Sequence, residues 1–344
     1  MIDYNLIIKG DNVVALKWLL ENGYEGKIDL VYIDPPFGTG GTFGIDKSGR
    51  IATISKSNDA EIAYSDTLRG REFVEWLRER VVLLHRLLSP KGSLYLHIDY
   101  KIGHYVKVML DEVFGMENFR NDITRIKCNP KGFRRVGYGN VKDMILFYSK
   151  GEKPIWNDIK IRCSDEDIAK RYNKVDSKGR RYTTVPIHAP GETKSGDTAQ
   201  CFRGIYPPKG RHWRCSVAEL ERLDDMGLIE WSASGNPRKI NYADDHLSKK
   251  QQDIWEYKDP AYPVYPTEKN LDMLKYIVCN SSDSGSIVLD CFCGSGTTLC
   301  AAACSGRRWI GVDRSDIAIA VSAERLNALK PEDSASYELI DLSE

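Results

Sequence analysis

Asp34-Pro35-Pro36-Phe37 sets a carboxylate, two rigid prolines and an aromatic ring side by side at the end of the apolar run Asp29 to Ile33. The run has the β-rich composition of a buried parallel strand, which must stop at Asp34. Consecutive prolines remove two backbone donors and push the residue before them into an extended conformation, so the chain leaves the sheet in a stiff turn. Such a trio can hold a planar heterocycle bearing an exocyclic amine. Asp34 and the Pro35 carbonyl accept the N–H hydrogens, and Phe37 stacks on the ring. A turn carboxylate with no chemical role is the competing reading, and the second half of the chain weighs against it.

There, Ser286 to Leu289 reads as a strand closing on Asp290, Cys291-Phe292-Cys293-Gly294-Ser295-Gly296 as a glycine-rich turn and Thr297-Thr298 as the start of a helix. Asp313 closes the next strand 23 positions after Asp290. This is the layout of a mononucleotide site, in which glycines allow close backbone approach and the acidic residue hydrogen-bonds ribose hydroxyls. No Lys follows the second glycine, so the turn is not a phosphate-cradling loop. Leu299 stands where a dinucleotide fold needs Gly or Ala. The ligand expected is a nucleoside without a pyrophosphate.

The elements that must position these two turns are legible in hydrophobic spacing. Asn5 to Lys9 is a short apolar run, and Val13 to Leu20 has helical spacing with Asp11 as its N-cap. Arg71 to Leu88 is the clearest helix, with Phe73, Trp76, Leu77, Val81, Leu84, Leu87 and Leu88 on one stripe. Ser93 to Ile98 reads as a strand closing on Asp99, residues 102–114 as a helix, and Ile123 to Cys128 and Met144 to Tyr148 as strands at the sheet edge. Asn270 to Val278, Thr297 to Ala303 and Asp316 to Leu329 read as helices, and Arg308 to Val312 as a strand. Residues 38–70 read as a long loop gating the site. Five strands are thus expected to end in aspartate, at Asp11, Asp34, Asp99, Asp290 and Asp313. In an open parallel α/β sheet ligands bind beyond the carboxyl ends of the strands, so this edge would favour a cationic ligand. The expected domains are 1–150 and 263–344, the two halves of one core, with 151–262 inserted between them, where periodicity weakens.

The motifs resemble those of the amino-group DNA methyltransferases that use S-adenosylmethionine. Asp34-Pro35-Pro36-Phe37 is similar to their catalytic motif, Asp290 to Gly296 to their cofactor motif, and Tyr265-Pro266-Thr267-Glu268-Lys269-Asn270 to the segment preceding it. Catalytic motif first, then a variable insertion, then the cofactor motif, resembles the permuted β group. The resemblance implies a Rossmann-like, circularly permuted α/β methyltransferase sheet with an inserted target recognition domain. It implies that Asp34, Pro35, Pro36 and Phe37 hold the amine and base, and that Thr267, Lys269, Asp290, Phe292, Gly294, Ser295, Gly296, Thr297 and Thr298 line the cofactor. Asp313 would bind its ribose, and Asp11 would lie near its adenine. Tyr265 and Asn270 depart from the family's His-Pro-Thr and second proline, and Ile123-Thr124-Arg125-Ile126 lacks the aromatic residue that often helps hold the base.

Lys and Arg together number 49, as do Asp and Glu, so any polyanion surface must be local. From Ile123 to Lys142 there are six basic residues and no acid, and Arg203 to Arg214 adds four more. Arg125, Lys127, Lys131, Arg134, Arg135, Arg203, Arg211 and Arg214 are the candidate DNA contacts. Cys201, His212 and Cys215 lack a fourth partner, so no metal is expected. Nine cysteines without a CxxC pair fit reduced thiols, and the absence of a signal or long apolar run predicts a soluble cytoplasmic protein. The reading is an adenine-N6 methyltransferase acting on double-stranded DNA, with a homodimer and a cognate restriction endonuclease as further partners expected of the family. Cytosine-N4 methylation, whose enzymes more often carry Ser in place of Asp34, RNA methylation and an inert DNA-binding subunit are the alternatives. No Pro-Cys pair occurs, so cytosine-C5 chemistry is excluded.

Overall fold

The structure, a computed structural model, describes residues 5–36, 42–45, 51–52, 61–65, 70–129, 132, 136–261, 263, 265, 268–330 and 336–343. Two compact units emerge, Met1–Ile159 together with Gln251–Glu344, and Lys160–Lys250.

Nine strands form the sheet of the larger unit: β1 (Asn5–Gly10), β2 (Ile28–Ile33), β3 (Leu88–Ile98), β4 (Phe119–Ile126), β5 (Lys142–Ser149), β6 (Ile254–Trp255), β7 (Ile287–Asp290), β8 (Arg308–Asp313) and β9 (Tyr337–Leu342). Their order is β6-β4-β5-β3-β2-β7-β8-β1-β9. All pairings are parallel except those of β5, which runs antiparallel to β3 and β4. Six helices cover the sheet: α1 (Asn12–Glu21), α2 (Gly70–Leu87), α3 (Tyr100–Phe114), α4 (Leu271–Ser281), α5 (Thr297–Ala303) and α6 (Asp316–Asn327). Alternation along the strands sorts them into two cores. Leu6, Ile8, Val31, Ile33, Leu94 and Leu96 pack with the apolar stripes of α1, α2 and α3, whereas Ile7, Leu30, Tyr32, Tyr95 and Val288 pack with α4, α5 and α6. A sheet buried on both faces must be apolar at nearly every position, which is why its strands read as continuous runs.

The smaller unit has its own core of Ile187, Phe202, Trp213, Val217, Leu220, Leu223 and Ile229. A helix, Val217–Asp225, accompanies a four-stranded antiparallel sheet in the order Lys174–Val175, Arg181–Pro186, Pro237–Tyr242, Ile229–Trp231. It is narrower than residues 151–262. Trp156 stacks on Phe147, the Asn157 side chain donates to the Cys279 and Ser282 carbonyls, and β6 extends the large sheet, so both flanks belong to the larger unit.

Three expectations change. The stretch read as a loop contains a three-stranded antiparallel sheet of Thr42–Ile45, Ile51–Ala52 and Glu61–Ser65, and the rest of the expected gate lies outside the described residues. β5 is interior, between β3 and β4, because an antiparallel strand can insert where a parallel neighbour would need a crossover. β9, unexpected from sequence, pairs with β1 along six residues.

Leu299 explains its own departure from the dinucleotide pattern. It is fully buried against β8 at Gly311, where an added Cβ would overlap its Cδ1 and stand 3.3 Å from Cys293 Sγ. Gly311→Ala is expected to destabilise the fold by about 1–3 kcal/mol in urea denaturation. Combined with Leu299→Ala it should cost less than the sum of the two single changes.

Candidate active site

β2 and β7 are neighbours at the centre of the sheet, Val288 paired with Leu30 and Leu289 with Val31. From this junction the strand order runs outward in two directions, which opens a crevice at the strand ends. The five expected aspartates all stand at this edge, at or just after the ends of β1, β2, β3, β7 and β8. Two of them act as helix caps: Asp11 Oδ1 accepts from Val13 N–H at 2.8 Å, and Asp99 Oδ1 from Lys101 N–H at 2.9 Å.

Asp34 is mostly buried, and its two oxygens differ. Oδ2 is ion-paired with the Lys269 ammonium. Oδ1 is buried without a hydrogen-bond partner among the described residues and lies 3.9 Å from His97 Nδ1. A buried carboxylate oxygen left unpaired costs stability, which makes Oδ1 an acceptor awaiting a donor. Pro35 is buried and Pro36 partly so, while Phe37 lies outside the described residues.

Asp290 braces the glycine turn. Its Oδ2 accepts from Thr298 Oγ1 at 2.6 Å and its Oδ1 from Phe292 N–H at 3.0 Å. Burial, together with the charges of Asp34 and Asp313, pushes its carboxyl up to about 7 against those hydrogen bonds. Asp313 accepts from Gly294 N–H at 3.0 Å and Ser315 N–H at 2.9 Å, and burial raises it too. Each oxygen keeps a second lone pair for a hydroxyl donor. Gly294 and Gly296 have φ of 49° and 70°, a region open mainly to glycine. Ser295, Thr297 and Thr298 spend their hydroxyls within the turn, with Arg325 donating to the Ser295 carbonyl and Thr297 Oγ1 at 2.9 Å each. Phe292 packs 5.7 Å from the Trp76 ring, over which Arg80 lies, and Arg80 is 3.6 Å from Asp11. Thr267 lies outside the described residues.

Behind Asp34 runs a buried chain of polar groups that sequence reasoning missed. Tyr32 O–H lies 2.9 Å from His97 Nδ1, and His97 Nε2 is 3.2 Å from Asp143 Oδ2. Asp143 Oδ1 accepts from Lys127 Nζ at 2.6 Å, and Arg125 NH1 stands 3.7 Å from Oδ2. Burial pushes the Asp143 carboxyl up, yet the hydrogen bonds from His97 and Lys127 hold it well below the usual carboxylate range. A lone His in an apolar strand two residues before a strand-end aspartate was the available signal. Asp143 had none, because its role depends on β5 lying beside both β3 and β4.

These contacts correct two candidate DNA residues. Arg125 is fully buried, with its guanidinium donating to Asp259 at 2.6 Å and the Tyr257 carbonyl at 2.8 Å, and Lys127 serves Asp143. A basic run in sequence does not reveal that alternate residues of a strand point inward. Lys131, Arg134 and Arg135 lie outside the described residues. Arg203, Arg211 and Arg214 are exposed in the smaller unit, where Arg203 is paired with Asp224 and Asp225. Among the described residues no helix is long and apolar enough to cross a membrane.

A parallel sheet with one antiparallel strand and acidic and glycine turns on adjacent central strands defines a class of nucleoside-binding group-transfer enzymes, and comparison narrows it. Residues 28–324 match the DNA methylase family. The chain is 42% identical over 317 residues to the Type II methyltransferase M.EcaI of Enterobacter cloacae, covering 90% of this chain and 67% of that one. It is 24% identical over 343 residues to the DNA adenine methyltransferase YhdJ of Escherichia coli, covering 94% and 87%. It spans about half the length of the Type III Mod subunits that it also matches. The Thermus thermophilus DNA modification methylase TTHA0409, solved in complex with S-adenosyl-L-methionine, shares the fold at TM-score 0.50 and 16% identity, over 99% of each chain. The chain belongs to the N6/N4 DNA methylase family.

The raised Asp290 carboxyl has a measurable consequence. Between about pH 4 and 7 the folded chain keeps a proton there that the unfolded chain has lost. The stability this contributes is complete below the unfolded value and lost as pH rises through about 7. Denaturation across this range should show the wild type losing stability relative to Asp290→Asn as pH rises.

Proposed function

We propose that the protein is a site-specific DNA methyltransferase that moves a methyl group from S-adenosylmethionine to the N6 amine of an adenine flipped out of duplex DNA. The observation that carries this reading is Asp34 Oδ1, a buried acceptor without a partner among the described residues, beside the glycine turn of the neighbouring strand.

The residues of the crevice fit the cofactor by their chemistry. Asp34, Asp290 and Asp313 gather at three consecutive strand ends; burial raises Asp290, and the charges of Asp34 and Asp313 add a repulsion that a cationic ligand would relieve. Asp313 would take ribose hydroxyls, and Lys269, beside Asp34, would meet a carboxylate. When bound, S-adenosylmethionine supplies a methyl group already activated on a sulfonium.

The chain's own task is then to align a nitrogen lone pair and make it available. That lone pair is delocalised into the base ring. Hydrogen bonds from the amine to Asp34 Oδ1 and the Pro35 carbonyl would draw the nitrogen towards tetrahedral geometry and stabilise the charge that develops on it. A carboxylate at this position, where the cytosine-N4 enzymes more often carry Ser, supports adenine. A base inside a duplex cannot reach a crevice at strand ends, so it must be flipped out at a cost of a few kcal/mol. Partners proposed with this reading are duplex DNA and a cognate restriction endonuclease, the latter supported by the restriction-modification names among the relatives. A second copy of the chain rests on the family resemblance alone.

Incubation with tritium-methyl S-adenosylmethionine and genomic DNA, followed by nucleoside mass spectrometry, is expected to put label in N6-methyladenine. Label in N4-methylcytosine would overturn the base assignment. Asp34→Ala should lower the methyl-transfer rate by about 10²–10³-fold or more while cofactor affinity stays within about tenfold, because the carboxylate serves the amine. Arg211→Ala with Arg214→Ala should weaken DNA binding about equally for all sequences and reduce the slope of log affinity against log salt by about 1 per residue, measured by fluorescence anisotropy.

A further inference from the structure

We infer that His97 receives, through Asp34, the proton that the amine sheds after methyl transfer; this rests on the methyl-transfer reading and adds to it a route for the proton. His97 touches no substrate atom and is a positioning residue that acts through the carboxylate.

The geometry prepares the imidazole for this. His97 is fully buried near the end of β3, and its Nε2 faces Asp143, an acceptor-only group when ionised, so Nε2 carries the hydrogen. The single Nδ1 lone pair then accepts from Tyr32 O–H at 2.9 Å, and 3.9 Å away lies Asp34 Oδ1, which has no hydrogen-bond partner among the described residues. An approach of about 1 Å would bring Nδ1 and Oδ1 into hydrogen-bond range. The ion-paired groups of this cluster balance: Asp34, Asp143 and Asp259 carry three negatives, and Lys269, Lys127 and Arg125 three positives, with Asp99 and Asp290 acting on them without a direct pair. With a neutral imidazole the cluster has no net charge, and the imidazolium formed would lie between two carboxylates. Burial, with Lys269 adding to it, pushes His97 below its ordinary value despite Asp143 and Asp34, so the ring is neutral at pH 7.

The step balances. The N6 lone pair forms the new N–C bond, and the S–C pair returns to sulfur. The N–H proton passes to Asp34 Oδ1, and from there to His97 Nδ1 once the Tyr32 hydroxyl has turned its hydrogen off that nitrogen. The positive charge that arrived on sulfur ends on the imidazole, and Asp34 is restored as an acceptor before the product leaves.

The test joins kinetics to a spectroscopic readout of the cofactor-free protein. Nitrogen-15 NMR of labelled histidine should find His97 neutral with its hydrogen on Nε2; an Nδ1–H tautomer or an imidazolium at pH 7 overturns the proposal. His97→Asn should lower kcat at saturating cofactor by about 10²-fold, with the DNA KM and cofactor Kd within about threefold of wild type. It should also change the shape of the acid limb of the kcat profile, which in the variant reports the carboxylate alone. Among the described residues, titratable groups that act on the ring include Tyr32, Asp34, Lys269 and Asp143, with Lys127 and Arg125 behind Asp143. Asp143→Asn, which keeps the ring but offers Nε2 a donor and so shifts the hydrogen to Nδ1, should give the same loss if His97→Asn does not fold. A wild type that methylates adenine while either folded variant retains kcat overturns this inference alone. A wild type that methylates no DNA overturns the functional reading and this one with it.

Discussion

Pairing of β2 with β7 is the constraint on which the site depends. Each strand ends in a carboxylate, one beside a double proline and the other beside a glycine turn, and parallel register delivers both to one crevice. Segments more than 250 residues apart in sequence thereby form one pocket. The permuted chain order has no effect on that geometry, because a parallel sheet specifies neighbours and direction, not the order in which strands are made.

Concentrating carboxylates in a low-dielectric crevice is destabilising unless each is satisfied, and the chain meets this in different ways. Asp11 and Asp99 each give one oxygen to a helix cap. Asp313 takes two backbone amides and Asp290 an amide and a hydroxyl, at the cost of a raised carboxyl. Among the described residues, Asp34 Oδ1 is the one buried carboxylate oxygen without a hydrogen-bond partner. This difference sets Asp34 apart from four other aspartates that look alike in sequence, and it supports the proposed role of its carboxylate.

A second layer supports the first. Arg125 and Lys127 neutralise Asp143, which orients His97 beneath Asp34, and Arg325 ties the glycine turn to α6. Cations that would have served a DNA surface are thus committed inside the protein. Removing one partner from such a buried network typically costs about 3–5 kcal/mol, since it strands the opposite charge. Positioning of the reactive carboxylate and stability of the sheet edge are therefore carried by the same residues.

The sequence by itself determined most of the core elements, both turns and the acidic strand ends, because hydrophobic period, proline and glycine act locally. α2 and α5 are visible in spacing alone, and Asp34 and Asp290 are marked by the prolines and glycines next along the chain. Only tertiary structure decided that β5 lies inside the sheet, that β9 adds an edge beside β1, and that Arg125 points inward. It alone also brought Asp143 to His97 and left Asp34 Oδ1 without a partner. These facts depend on which strands become neighbours and which face each side chain takes, and that is set by burial summed over the whole sheet, to which no local stretch has access.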